Sequence, residues 1–198
     1  MFHNAARLFS RLHGEKYYRD CILSRVPRHS VCAELGVYKG DFSQLILKTV
    51  APKKLHLVDP WKFELDPAYA RSWYGGPVGQ SQPSMDAIYE SVLRRFRSAI
   101  QSGAVEPHRY TSAECCSRFP DNYFDWIYID GNHQYQFVKQ DLEIYLPKIK
   151  PRGLVAGDDY GHPGWWQDGV TKAVDEAIGG DRFEKLLIEN HQFLLQKI

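Results

Sequence analysis

Short apolar runs alternate with helix-patterned stretches along most of this chain, and that alternation most constrains its fold. The runs are Ser30–Leu35, Leu55–Val58, Glu106–Tyr110, Phe124–Ile129 and Gly153–Gly157. Between and after them, Asp41–Val50 carries Phe42, Leu45, Ile46 and Thr49 on one helical face. Met85–Ile100 repeats Ile88, Val92, Phe96 and Ile100 at helical spacing and stops near Gly103. Gln136–Ile149 turns Val138, Leu142, Tyr145 and Ile149 inward, and Asp168–Ile178 ends at Gly179-Gly180. Five β–α alternations predict an α/β, doubly wound, mostly parallel sheet with helices on both faces. Phe183–Ile188 and Gln192–Leu195, flanking Glu189-Asn190-His191, predict a terminal hairpin.

Composition narrows the class. A chain of 198 residues, 43% hydrophobic and 25% charged, suits one domain with its own core rather than a disordered segment. A net charge of +1 argues against nucleic-acid binding by bulk charge, and no apolar run approaches the ~20 residues of a membrane span. Cys21, Cys32, Cys115 and Cys116 form no C-x-x-C pair, which predicts reduced thiols and a cytoplasmic setting. Residues 1–29 read as a separate N-terminal helical segment. Residues 1–30 hold six Lys/Arg against two acids. Arg7 and Arg11 give the start a faint likeness to a mitochondrial presequence. The preferred expectation is a basic helix lying on the domain surface and available for a homodimer contact.

Ligands of such sheets bind at the carboxyl ends of the strands, so the residues just after each strand carry the functional reading. The first strand runs out into Glu34-Leu35-Gly36-Val37-Tyr38-Lys39-Gly40, a G-x-x-x-G turn and not the G-x-G-x-x-G dinucleotide fingerprint. The second ends at Asp59, where a carboxylate can accept both hydroxyl hydrogens of a ribose; the alternative is an acid that caps the turn before Pro60. Residues 60–84, with four Pro and three Gly, read as a lid-like insertion.

These residues resemble the class I S-adenosylmethionine-dependent methyltransferases: E-L-G-x-x-x-G at Glu34–Gly40, then V-D at Val58-Asp59. The order of elements over 30–198 fits as well, making that span the methyltransferase domain. The resemblance implies a Rossmann-like seven-stranded sheet with an antiparallel last strand, which the terminal hairpin suits. It implies that Glu34, Gly36 and Gly40 hold the methionine part of S-adenosylmethionine, that Asp59 holds the ribose, and that Ser112 and Ala113 (with Glu114) frame the adenine. Asp130 joins the same cofactor set.

The fourth strand runs into Asp130-Gly131-Asn132-His133-Gln134-Tyr135 and the fifth into Gly157-Asp158-Asp159-Tyr160. Adjacent parallel strands lie ~5 Å apart, so Asp130, Asp158 and Asp159 can converge. Three converging carboxylates call for a cation, and oxygen-only ligands select Mg²⁺, Mn²⁺ or Ca²⁺. The alternative is one helix-capping acid and two solvated turn residues. D-G-x-H-x-Y with G-D-D-Y resembles metal-dependent small-molecule and sugar O-methyltransferases and the broader methyltransferase family 24, as does Gly169–Glu176. In such relatives the acids bind the ion that binds the acceptor hydroxyl. Some relatives carry an Asp base where this chain has Asn132, and others a His where it has His133. His133 is therefore the candidate general base, with His162 as a second, and Asn132 reads as a helix N-cap. The acceptor is read as a small-molecule hydroxyl.

Trp61 and Trp73 fall in the insertion, and Trp165 and Trp166 follow the acid pair, so four of the five Trp are predicted on the rim of the site, with Trp126 in the sheet core. The rivals are a metal-independent methyltransferase, a nicotinamide-dependent oxidoreductase, which leaves the acids unexplained, and a non-catalytic binding protein on the same fold.

Overall fold

Strands as apolar as Val31–Leu35 (β1) and Lys54–Val58 (β2), each buried over its last four residues, must be covered on both faces. The computed structural model describes residues 19–198 and shows that cover. After β1 comes helix α1 (Asp41–Val50), then β2 and the short helix α2 (Gly76–Gly79). Next are α3 (Gln82–Arg95), α4 (Arg97–Gln101), β3 (Val105–His108), α5 (Ser112–Cys116) and β4 (Phe124–Ile129). The chain ends with α6 (Tyr135–Tyr145), β5 (Ile149–Gly157), α7 (Gly169–Ile178), β6 (Phe183–Glu189) and β7 (Gln192–Lys197). The seven strands form one sheet in the order β3-β2-β1-β4-β5-β7-β6. β7 runs antiparallel to both β5 and β6, and the pairings among β1 to β5 are parallel. The order in which strands are added thus reverses between β1 and β4, which opens the crevice where ligands of such sheets bind.

Alternation along the strands sends Ala33, Leu35, Ile127, Ile129 and Val155 into one layer, with Val138, Leu142 and Tyr145 of α6 and Val170 and Val174 of α7. Cys32, Leu55, Leu57, Trp126 and Tyr128 enter the other, with Phe42 and Ile46 of α1 and Val92 of α3. A register irregularity between Phe124 and Trp126 lets Phe124 join the first layer although its parity points to the second. Trp126 is the core residue its sequence position predicts, with Nε1 donating to Ser30 Oγ at 2.8 Å.

Two expectations change. β5 starts at Ile149, four residues early, because Lys150-Pro151-Arg152 carries the strand through an exposed stretch without apolar pattern. The N-terminal segment does not simply rest on the surface. Its first 18 residues, with the presequence-like arginines, lie outside the described part. Residues 19–23 are helical, and Ile22, Leu23 and Val26 are buried in the second layer. Among the described residues no helix is long and apolar enough to cross a membrane.

Candidate active site

The turn after β1 is built round two glycines. Gly36 has φ +95°, and a Cβ there would come within 2.1 Å of the Asp130 carbonyl oxygen. Gly40, at φ +76°, begins α1 over Phe96, 2.7 Å from where its Cβ would stand. Both are positions where only glycine fits without movement. Gly36 thereby lets the β1 turn pack on the end of β4, and the Asp130 amide donates to Leu35 O at 2.7 Å.

Asp59 is buried and organises this turn. Its Oδ2 accepts from the amides of Val37 (2.8 Å) and Tyr38 (2.9 Å) and from the Tyr74 hydroxyl; its Oδ1 accepts from the Trp61 amide at 2.7 Å. Tyr38 (φ 49°) and Trp61 (φ 40°) both have left-handed backbones, a conformation unfavourable by ~1–2 kcal/mol for such residues. One carboxylate therefore pins two strained residues. Burial pushes the Asp59 pKa up, against the opposing pull of Tyr74 and the amides. The Tyr74 contact is a hydroxyl donating to a buried carboxylate, the same chemistry that a ribose hydroxyl would offer.

Glu34, also buried, accepts from Ser43 Oγ of α1, and burial pushes its pKa up to about 8. Ser112 and Ala113 open α5 beyond β3. The Ser112 hydroxyl is committed to Asp141 Oδ1 at 2.5 Å, so this residue offers its backbone, not its side chain, to any neighbour.

At the ends of β4 and β5 the three acids are held by two organic cations. Arg19 Nη2 reaches Asp130 Oδ2 (2.7 Å) and Asp158 Oδ2 (2.5 Å). Its guanidinium also lies over the rings of Phe42 and Tyr128, 4.6 and 5.4 Å from their centres. His133 stands between Asp130 and Asp159, with Nδ1 3.2 Å from Asp159 Oδ2 and Nε2 3.4 Å from Asp130 Oδ1. Gln192 of β7 donates to Asp158 Oδ1 at 2.5 Å and accepts from the buried Tyr128 hydroxyl. Burial raises the Asp130 pKa, but Arg19 and His133 outweigh it and the net shift is downward. Asp158 moves the other way, because burial and the Asp130 charge outweigh its share of Arg19. His133 is lifted: burial opposes its charge, and the carboxylates of Asp130, Asp159 and Asp158 more than compensate.

The three predicted metal ligands are brought together here, but round a guanidinium and an imidazole. Among the described residues, the three-residue group whose ligating atoms lie within 4.8 Å of one another is His56, Glu106 and His108, not Asp130, Asp158 and Asp159. Two of the acids already share a guanidinium, so as they stand the three do not fit a bare divalent ion. Asn132 is also not the N-cap of α6, a place taken by Gln134. Instead, Asn132 Oδ1 accepts from the Gln134 amide and its Nδ2 donates to Tyr69 OH at 2.8 Å. His162 is exposed, 3.1 Å from Asp159 Oδ1, on the outer side of the cluster.

The 60–84 insertion folds over both halves of this cleft. Tyr74 meets Asp59, while Tyr69 meets Asn132 and packs edge-on to Trp165 (5.6 Å). Trp166 lies edge-on to His133, 4.7 Å between ring centres. Trp73 is 58% exposed and packs on Tyr38. The tryptophan expectation needs one correction: Trp61 is fully buried, anchored by Nε1 donating to Tyr38 O at 2.8 Å, and lines no rim.

Sequence reasoning missed Arg19, Tyr74 and Gln192. Arg19 carries no local signal, since it belongs to a basic stretch whose other members face solvent or lie beyond the described residues. Gln192 had one: a polar residue heading the apolar run Phe193-Leu194-Leu195 of the final strand.

With this geometry in place, comparison with known proteins is informative. A family model described as a methyltransferase domain, that of methyltransferase family 24, matches residues 33–160. A curated relative, the uncharacterized protein y4gI of Sinorhizobium fredii, is 26% identical over 137 residues; the match covers 67% of this chain and 13% of that protein, so the chain spans about an eighth of the relative's length. A Staphylococcus aureus structure assigned as a caffeoyl-CoA O-methyltransferase superposes with a TM-score of 0.61 at 14% identity, covering 100% of this chain and 93% of that one. A Streptococcus mutans structure assigned as a methyltransferase, in complex with S-adenosylhomocysteine, gives 0.57 at 11% identity, covering 92% and 97%. A Clostridium thermocellum structure assigned as an rRNA methylase gives 0.59 at 11% identity, covering 92% and 96%. At these identities the structures show a shared fold, which does not extend to their acceptors. The nicotinamide-dependent alternative falls with the family match. The chain belongs to methyltransferase family 24 and carries a class I S-adenosylmethionine-dependent methyltransferase domain.

Proposed function

We propose that this domain transfers the methyl group of S-adenosylmethionine to a hydroxyl of a small molecule, with His133 as the general base. The observation that carries the reading is the state of the His133 ring. Its Nδ1 faces Asp159 at 3.2 Å, while its Nε2 is buried without a hydrogen-bond partner. In the neutral ring Asp159 favours the proton on Nδ1, and Nε2, which faces Asp130 Oδ1 at 3.4 Å, is the nitrogen left to accept the proton of an acceptor hydroxyl. Trp165, Trp166 and Tyr69 gather beside His133 and Asn132 as aromatic faces suited to a ring or sugar.

Asp59 and the Glu34–Gly40 turn suit the cofactor. The stand-in hydroxyl of Tyr74 on Asp59 supports that assignment. When bound, the cofactor supplies an electrophilic methyl group on a sulfonium. The chain's own work is to hold the acceptor in line, exclude water beneath the insertion and take up one proton at His133. A net charge of +1 favours a small acceptor over a nucleic acid.

The test is calorimetric titration with S-adenosylhomocysteine, followed by turnover assays across catechols, phenols, sugars and hydroxy acids, in wild type and His133→Gln. Cofactor-product binding with hydroxyl methylation that collapses in His133→Gln supports the proposal. Product binding with no turnover on any hydroxyl, or methylation of nitrogen or carbon acceptors alone, refutes it.

A second reading keeps Asp130, Asp158 and Asp159 as ligands of Mg²⁺, Mn²⁺ or Ca²⁺. It is favoured by three carboxylates standing at two adjacent strand ends while one of their counter-cations, Arg19, comes from outside the sheet. It requires Arg19 to leave, and Mg²⁺ titration of wild type against Arg19→Ala separates the two readings.

A further inference from the structure

On the far edge of the sheet, away from the acid cluster, two histidines and a glutamate meet on one face of β2 and β3. His56 and Glu106 are cross-strand partners, and His108 lies two residues beyond Glu106, so all three project to the same side. His56 Nδ1 is 2.9 Å from His108 Nε2, Glu106 Oε1 is 3.8 Å from His108 Nε2, and Glu106 Oε2 is 4.0 Å from His56 Nδ1. Donor atoms round a common ion at ~2.0–2.1 Å stand roughly 2.9–3.4 Å apart, so the imidazole pair is already placed and the carboxylate has a short way to close. Glu106 is 46% exposed and can make that movement, whereas His56 and His108 are buried at 3% and 9%.

We infer that His56, Glu106 and His108 form a binding site for a zinc-class divalent ion, open on its solvent side and stapling the edge strand β3 to β2. Two nitrogens and one carboxylate suit Zn²⁺ or Co²⁺ and disfavour Mg²⁺ and Ca²⁺. The surroundings fit a ligand set. His56 Nε2 lies 3.1 Å from Tyr123 OH, the outer hydrogen bond that fixes the tautomer of a ligating imidazole. Phe119, Tyr123 and Phe124 pack edge-on round the His56 ring and exclude water from that side. Lys54 Nζ holds Glu106 Oε2 at 2.5 Å, leaving Oε1 for the ion. Binding exchanges the direct His56–His108 hydrogen bond for two metal–nitrogen bonds and moves one ring proton from His108 Nε2 to Nδ1. β3 is only four residues long, contains Pro107 and pairs with β2 alone, so it is the strand that gains most from a staple. The gain reaches the cofactor side, because His108 O accepts from the Asp59 amide at 3.1 Å.

The test uses the full chain, stripped with chelator and titrated with Zn²⁺ or Co²⁺ alone. The expected result is one equivalent bound, a visible Co²⁺ d–d spectrum, and a melting temperature raised by about 5–10 °C at 100-fold excess over Kd. Glu106→Gln, at a half-exposed position that leaves the core intact, should weaken binding at least ~10-fold, and His108→Gln should abolish it. Asp158→Asn should bind as wild type does. Absence of a bound equivalent in wild type overturns the inference, as does Zn²⁺ affinity unchanged in Glu106→Gln or lost in Asp158→Asn.

Discussion

Asp59 and Asp130 each follow a strand of the same sheet, yet different chemistry meets them. Three of the four groups that donate to Asp59 are backbone amides from two turns. The Asp130 carboxylate is met by side chains, Arg19 and His133, the first of which enters from outside the sheet. Amides at fixed positions make a site that exists before its ligand arrives. Side-chain cations make one that can be reset, because a guanidinium or an imidazole can turn away or change its protonation. The Asp59 side, proposed to hold the cofactor, is thus preformed, and the acid cluster, proposed as the reacting half, is adjustable. Gly36 joins them, since its missing side chain lets the cofactor turn rest on the backbone of Asp130.

The strongest way to break this contrast is Asp59→Ala. It leaves three amides and the Tyr74 hydroxyl without their acceptor and releases two left-handed residues, so a loss of about 3–5 kcal/mol is expected in urea unfolding, together with loss of S-adenosylhomocysteine binding. Asp59→Asn retains an acceptor oxygen and should lose distinctly less. A loss under about 1 kcal/mol for Asp59→Ala would mean that the turns hold themselves, and the preformed half would need another explanation.

Arg19→Ala probes the adjustable half. Asp130 and Asp158 would face each other without the guanidinium, and a destabilisation of about 2–3 kcal/mol is expected, less than for a fully buried pair because Arg19 is partly exposed. Millimolar Mg²⁺ should restore melting temperature in Arg19→Ala and leave wild type unmoved. Equal Mg²⁺ responses in the two proteins would show that Arg19 does not occupy the place of an ion. His133→Gln should act on rate alone: turnover down about 100-fold, with cofactor-product affinity within a factor of about three. A matching loss of affinity would make His133 a structural member of the acid cluster.

How much of this was legible follows from where each signal resides. The strands themselves, the terminal hairpin, α1 and the Asp59 position all rest on local pattern, and local pattern is what a single sequence carries. Helix α5 escaped because five residues are too few to show a period; its mark was the Thr111–Glu114 capping box, a two-residue signature. The three acids and their convergence were legible, but not the group that meets two of them, because Arg19 lies 111 positions from Asp130. The same holds for Tyr74, whose ring crosses the cleft from an insertion with no periodicity. His56 and Glu106-Pro107-His108 were visible only as members of two predicted strands, and their convergence required the β2–β3 register.

Glu34→Gln sharpens the contrast where the halves meet, because Glu34 lies between them: its carboxyl accepts from Ser43 in the preformed turn and also feels the charge of Arg19. Burial raises its pKa from the ordinary 4.5 to about 8 in the folded chain. Between those two values the native state binds more protons than the unfolded state, so this group makes stability fall as pH rises, by up to ~1.4 kcal/mol per pH unit, and the fall ends above the folded pKa. Asp141, raised to about 7 by burial, acts in the same direction in both proteins and cancels in their difference. Urea midpoints measured from about pH 5 to 7.5 should therefore decline less steeply in Glu34→Gln than in wild type, with the two curves diverging upward through that window. Parallel curves would mean that Glu34 is ionised in the folded chain with Arg19 as its counter-ion. The guanidinium would then serve the preformed turn as well as the acid cluster, and the two halves of the cleft would share one charge network.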